Sequence, residues 1–505
     1  MRFLLDTNIL IPLEDSMLRL EPSYAKFVQL AHRHGHQLMY HPASKRDIER
    51  DPNEIRRNQT LERLAKYDCL NTTLMCPWND SSTKVNDACD NEILYSLFCE
   101  AADYLVTEDK GIHEKARKLG LLARVIAIQP AEDLLLRLHE QADISLPHIQ
   151  QVPLHDLTPL LSGEFFNSLR DGYHGFDDWF RSKARQQRQA WVYWEKQREQ
   201  LGAICIFDRQ CDEVITDDGQ VAVGDALKLC TFKVGEMSRG KKVGELFLKM
   251  AFRFATANQL QTIFIHADPS PHHYLITLLE EFGFCSVGTY NGDRMYVKSH
   301  PVESPADPES LALQPLEFHR RYYPHFKTDS SVDKFIVPIR PEFHDVLFPD
   351  WKPTRMQQGS LFSGFFPENS AGNAIKLAYL CHAPAKQIAA GDVVLFYRSH
   401  DERAITSVGV VEEYQTLQDV NAIARLVSRR TVYDMRAIVD MARKETRVML
   451  FRLVKHFDEP IPHRWLQDNN IVNGSIQSIQ RVVDAKFDKV TVHARVYYRS
   501  SFSAS

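Results

Sequence analysis

No Cys-x-x-Cys pair occurs in this sequence, whose nine cysteines are scattered along 505 residues. That spacing offers neither a zinc site nor a disulfide framework, and it fits reduced thiols in a cytoplasmic protein. No apolar run is long enough to span a bilayer, so a membrane partner is not expected. The opening Met1-Arg2-Phe3-Leu4-Leu5-Asp6 meets an acid too early for a signal peptide. An excess of one charge sign is missing as well. With a net charge of −5, nucleic acid would have to be met by local patches rather than by a general basic field. Internal repeats and low-complexity tracts are also absent. What is present is ordinary globular composition, 44% hydrophobic and 25% charged, enough for several buried cores. The length suits about three domains at roughly 150 residues each.

The first stretch alternates strands and helices. Residues 2–5 form an apolar strand that runs into Asp6-Thr7-Asn8. A second strand is expected at Gln37–Tyr40, and His41-Pro42-Ala43-Ser44 begins a helix carrying Asp47. Asp90, Ile93, Leu94, Leu97 and Ala101 share one helical face, which puts a carboxylate in line with a buried stripe. Tyr104-Leu105-Val106-Thr107 then reads as a buried strand ending at Glu108-Asp109. Such alternation predicts a parallel sheet with its chemistry at the carboxyl ends of the strands. Carboxylates gathered there repel one another unless a divalent cation, Mg2+ or Mn2+, neutralises them; the cation can also activate water for phosphodiester attack. The signature Leu-Leu-Asp6-Thr7-Asn8, Asp90-x-x-Ile and Asp103-Tyr-Leu-Val-Thr107-x-Asp109 resembles the PIN-domain nucleases. That resemblance implies a catalytic metal set of Asp6, Asp47, Asp90 and Asp109, with Thr107 and Asn8 as polar support.

The middle of the chain centres on a strand, a basic turn and a helix. Leu227, Leu229, Phe232 and Val234 belong to the strand. Val243, Leu246, Phe247, Met250 and Phe254 fall at helical spacing, and Thr262–His266 is the next strand. Free backbone N–H groups and the helix dipole make such a turn a phosphate site. Arg239-Gly240-Lys241-Lys242-Val243-Gly244, with Leu278-Leu279-Glu280-Glu281-Phe282-Gly283-Phe284 further on, resembles the GNAT acyltransferases over roughly residues 155–298. The resemblance implies that those six residues bind acetyl-CoA. Lys242 stands where the family has its first loop glycine, and Leu279 where many members have the tyrosine that protonates the departing thiolate. Tyr274 lies about 140° round a regular helix from that position, so it is no simple substitute. Tyr290 is a further acid to consider, and Glu236 is the nearest base.

Pro301, Pro305, Pro308 and Pro315 with few apolar residues between them predict a linker. From Lys334 strands dominate, and Gly391-Asp392-Val-Val-Leu-Phe396-Tyr397-Arg398-Ser399 pairs with Ile405–Glu412 as a hairpin. This run resembles the PUA-like superfamily in its ASCH and EVE branches, implying a small β-barrel whose aromatic faces stack on bases. Phe396 and Tyr397 could equally be barrel core.

The expected fold class is therefore multidomain α/β. It comprises a PIN-like parallel sheet at 1–140, a GNAT-like α/β domain at 150–300, a linker at 301–333 and a PUA-like β-barrel at 334–500. The first functional expectation is a toxin-like, metal-dependent ribonuclease acting on RNA such as tRNA, with a small antitoxin or inhibitor protein and a homo-oligomer as further partners. Alternatives are an acetyl-CoA-dependent N-acyltransferase, slow on generic amines, and a non-catalytic sensor gated by CoA or a nucleotide.

Overall fold

The computed structural model describes all residues except 16–19, 71–75, 80–84, 141–148, 196–199, 236–237, 239–241, 269–272, 352–373, 385–386, 428–429, 431–432 and 501–505. The chain divides into two compact units. The first is 1–142 with 419–429 and 433–440; the second is 143–418 with 430–432 and 441–505. No described helix is long and apolar enough to cross a membrane.

In the first unit, β1 (Arg2–Leu5), β2 (Gln37–Tyr40), β3 (Asp68–Cys69), β4 (Tyr104–Val106) and β5 (Val125–Ile126) form one sheet in the order β3-β2-β1-β4-β5. Every neighbouring pair is parallel. Phe3, Leu4 and Leu5 are fully buried, as a central strand covered on both faces requires. Connections leave β1 toward β2 on one side and reach β4 on the other. Their carboxyl ends therefore meet at a topological switch point, where such sheets open a crevice.

The second unit holds two sheets. The first contains β6 (Ile149–Pro153), β7 (Gln189–Glu195), β8 (Gln200–Val214), β9 (Val221–Val234), β10 (Thr262–Ala267), β11 (Cys285–Tyr290) and β12 (Asp293–Ser299), in the order β11-β12-β10-β9-β8-β7-β6. Only β9 and β10 are parallel, and their register covers three pairs, Ala226–Thr262, Leu227–Ile263 and Lys228–Phe264. The helices Val243–Ala257 and His273–Glu281 pack Phe247, Phe252 and Leu279 against one face. Phe166 and Phe180, from the segment leading through the helix Phe176–Arg185, belong to the core on the other face.

The second sheet contains β13 (Lys334–Ile339), β14 (Lys376–Cys381), β15 (Val393–Arg398), β16 (Ala404–Leu417), β17 (Thr446–Pro462) and β18 (Gln480–Val482), ordered β14-β17-β16-β15-β13-β18. β13 and β15 are parallel and the other pairs antiparallel. The expected barrel is not closed by the described strands, because the ladder ends at β14 on one side and β18 on the other. Phe396 is 0% and Tyr397 3% exposed, in different cores on opposite faces of β15. Alternation along a strand covered on both sides makes them packing residues, so the base-stacking expectation gives way to the core one.

The proline-rich stretch is more ordered than its composition suggests. Pro308 and Pro315 open the helices Pro308–Ala312 and Pro315–Tyr322, where the missing N–H is harmless. Phe318 and His319 on the second helix are buried. Buried charge explains why the middle and last thirds form one unit. Glu412 accepts from Arg320 (3.0 Å), Arg430 (2.6 Å) and Arg452 (3.2 Å), while Lys376 reaches Glu281 at 2.9 Å. Four cations, Arg430, Arg452, Lys376 and Arg320, hold the Glu412 carboxyl well below its ordinary range despite burial, chiefly the first two.

Candidate functional site

Two groups of polar residues lie at the carboxyl ends of parallel strands, one in each unit. In the first, β1 ends at Leu5 and Asp6 caps the helix Thr7–Glu14, accepting from the Thr7 N–H at 2.7 Å. Parallel pairing of β1 with β4 brings Thr107 alongside. Its hydroxyl donates to Asp6 Oδ2 at 2.6 Å, and Asn8 Nδ2 donates to the same oxygen at 2.8 Å. Thr107 Oγ1 in turn accepts from Asn8 Nδ2 at 3.1 Å and from the Asp109 N–H at 3.0 Å. Asp109 caps the helix Lys110–Lys118 through the Ile112 N–H at 3.0 Å.

Burial pushes the Asp6 carboxyl up to about 7; the Thr107 and Thr7 donors oppose this, and the charges of Asp90 and Asp109 add to it. Burial likewise raises Asp90 to about 6, against the pull of Lys115. Lys115 Nζ stands 3.4 Å from Asp90 Oδ2 and 3.2 Å from Asp87 Oδ1. Asp6, Asp90 and Asp109 thus share one electrostatic neighbourhood. Asp47 is tied instead to Arg50 at 2.8 Å. Among the described residues, no three His, Cys, Asp or Glu side chains stand close enough together to hold a metal ion.

In the second unit, the parallel pair parts after Lys228 and Phe264, and β9 carries a bulge at Cys230 just beyond. Bulges commonly re-aim a strand beside a site. Of the expected CoA turn, Arg239, Gly240 and Lys241 lie outside the described residues, as does Glu236. Lys242 is the N-cap of the helix Val243–Ala257 with φ +58, the left-handed region that glycine occupies most easily. Val243 is buried, and a Cβ at Gly244 would meet Leu278 Cδ2 at 2.9 Å. A side chain at residue 244 would therefore displace the end of Leu278, so Gly244→Asp would touch the packing of this helix as well as any bound phosphate. Leu279 is fully buried and Tyr274 is 42% exposed.

The opposite face of this sheet holds a pair that sequence reasoning missed. His266 Nδ1 lies 3.0 Å from Asp293 Oδ2, with both side chains partly open to solvent. β10 and β12 run antiparallel with His266 opposite Met295, which brings the first residue of β12 to the end of β10. The Tyr290 ring lies 6.0 Å from the imidazole, and Lys228 Nζ is 5.9 Å from the Tyr290 ring. Tyr173 comes from the stretch before the helix Phe176–Arg185. Burial and then the charges of Asp293 and Asp268 push its hydroxyl up to about 12. One signal for the pair was available: Asn291-Gly292 marks a tight hairpin, which makes Asp293 the start of a strand.

No family model matches the chain, and no curated protein matches it. Several solved structures resemble part of it. The ASCH protein of Zymomonas mobilis shares 13% identity, with 32% of this chain and 94% of that one covered at a TM-score of 0.23. An N-acetyltransferase from Staphylococcus aureus shares 17%, covering 31% and 99% at 0.23. The PaiA N-acetyltransferase of Thermoplasma acidophilum in complex with coenzyme A shares 14%, covering 30% and 99% at 0.23. Each likeness spans about a third of this chain, and none carries a function to it.

Proposed function

We propose that the second unit transfers an acyl group from a CoA thioester to an amine at the gap between β9 and β10. The supporting observation is the parting of this one parallel pair after three register positions, directly before a helix that opens from a left-handed N-cap. Backbone groups of β9 beyond Lys228 have no partner on β10, which suits an extended, amide-containing chain such as pantetheine added alongside the strand. The first-turn N–H groups of the helix Val243–Ala257 lack helical partners and, with its dipole, would hold the pyrophosphate. When bound, the cofactor supplies an activated acyl group; the chain supplies the walls that orient it. Calorimetry of the full chain with acetyl-CoA is expected to show one site per chain, and amine-dependent thiol release is expected to follow. Absence of acetyl-CoA binding would end this reading.

A second reading rests on the Asp6–Thr107–Asn8 network at the β1–β4 switch point: hydrolysis of phosphodiesters in RNA. The described residues do not assemble a three-ligand metal set, and Lys115 neutralises part of the acidic charge. The test of this reading is incubation of the chain with total RNA, with and without magnesium. Cutting that disappears in Asp90→Asn supports it, and intact RNA under both conditions removes it.

A further inference from the structure

Resting on the acyl-transfer reading, we propose that His266, held by Asp293, is the general base of the second unit and that its acceptor is a primary amine arriving as a cation. The pair sits at the end of β10 past the last residue that β9 pairs with, so it borders the gap. Phe264 and His266 alternate with the inward-facing Ile263 and Ile265, so the imidazole lies on the sheet face opposite the helix Val243–Ala257. That arrangement gives the cofactor helix one face and the acceptor the other.

The hydrogen bond also assigns the tautomer. A carboxylate can only accept, so Nδ1 carries a proton, and in the neutral imidazole Nε2 presents the lone pair. Groups facing the imidazole are Asp293, Tyr290 and, through Asp293, Tyr173, with Lys228 beyond Tyr290. Asp268, within electrostatic range of Tyr173, adds a second carboxylate. The Asp293 carboxylate beside the base favours an incoming ammonium. The ammonium gives one proton to Nε2 and becomes a neutral nucleophile. Its lone pair forms the C–N bond at the thioester carbonyl, the C–S bond breaks, and a second amine proton ends on the departing thiolate. The imidazolium returns its proton to solvent.

The test uses the full chain with acetyl-CoA and spermidine as the probe amine, measuring kcat, KM and acetyl-CoA affinity from pH 5 to 9. A positioned base contributes roughly 10²–10⁴-fold. His266→Gln is expected to lower kcat at least 100-fold and to abolish the acid limb of the pH profile, with unchanged acetyl-CoA affinity. Asp293→Asn keeps the shape of its residue and is expected to lose about tenfold in kcat, a magnitude in keeping with a positioning role. Wild-type transfer that survives in His266→Gln within threefold overturns the assignment while leaving acyl transfer standing. Wild-type protein that binds acetyl-CoA but acetylates neither spermidine nor a lysine peptide overturns the acyl-transfer reading and this inference with it. Acetyl-CoA affinity that falls in His266→Gln means the residue binds cofactor, and also overturns the assignment.

Discussion

At the carboxyl ends of β1 and β4 the polar groups close on one another, whereas at those of β9 and β10 the strands part. In the first place Asp6 is 5% exposed and takes three hydrogen bonds from Thr7, Asn8 and Thr107. Burial above all, with the charges of Asp90 and Asp109 adding to it, makes ionisation harder and raises its carboxyl to about 7. In the second place His266 has one partner, keeps one ring nitrogen uncommitted in the hydrogen bonds described, and faces a gap. The same parallel geometry yields a packed acid in one unit and an accessible base in the other.

The sharpest way to break this contrast is to remove the base, and the expected loss of at least 100-fold in His266→Gln is the largest effect foreseen. Next comes the pH dependence of the packed acid. Burial raises folded Asp6 from its ordinary 3.8 to about 7, so the native state keeps a proton that the unfolded chain has released. The stability this contributes is full below about 3.8 and drains away as pH rises through about 7. Asp6→Asn avoids that loss. At about 1.36 kcal/mol per pKa unit the ceiling is ~4 kcal/mol at pH 8. The amide cannot accept at both positions, so donors are left unpaired at about 1 kcal/mol each. A net gain of about 2 kcal/mol is therefore expected at pH 8 and a net loss of about 2 kcal/mol at pH 4, where only the lost hydrogen bonds count. Urea unfolding at the two pH values checks this, and an equal change at both would show that ionisation of Asp6 is not the cause.

Thr107→Val is expected to destabilise the first unit by about 1–3 kcal/mol, because it leaves Asn8 and the Asp109 N–H without their shared acceptor. It should also steepen the loss of stability toward neutral pH, since Asp6 loses its strongest opposing donor. The smallest effect belongs to the other unit. Lys242→Gly places the permissive residue at φ +58 and should gain up to about 1 kcal/mol in thermal unfolding. Destabilisation instead would mean that the lysine side chain, which reaches toward Lys376 O at 3.5 Å, outweighs the backbone cost.

Much of this was written locally. The apolar run at 2–5, the helical stripe from Asp90 to Ala101 and the strand at 104–107 each declare their element through period and composition, and strand ends carry their polar residues with them. The sequence therefore placed Asp6, Thr107 and Asn8 at neighbouring strand ends, where they hydrogen-bond together. For Asp47 the local pattern was less informative: its place on a helix says nothing of the ion pair it makes with Arg50 three residues on. Phe396 and Tyr397 looked like a stacking surface because a strand exposed on one face and a strand covered on both can share one sequence. The two proline-led helices likewise gained their order from burial of Phe318 and His319, which composition does not reveal.

By itself the sequence determined the order of strands and helices, the acids at strand ends and the absence of membrane-length segments, because each depends on residues within a turn or two. Tertiary structure alone decided that β9 and β10 part after three pairs, that His266 meets Asp293 across an antiparallel ladder, and that Lys115 lies between Asp87 and Asp90. Those facts follow from register and packing between segments 25 residues or more apart, where no local propensity carries the information.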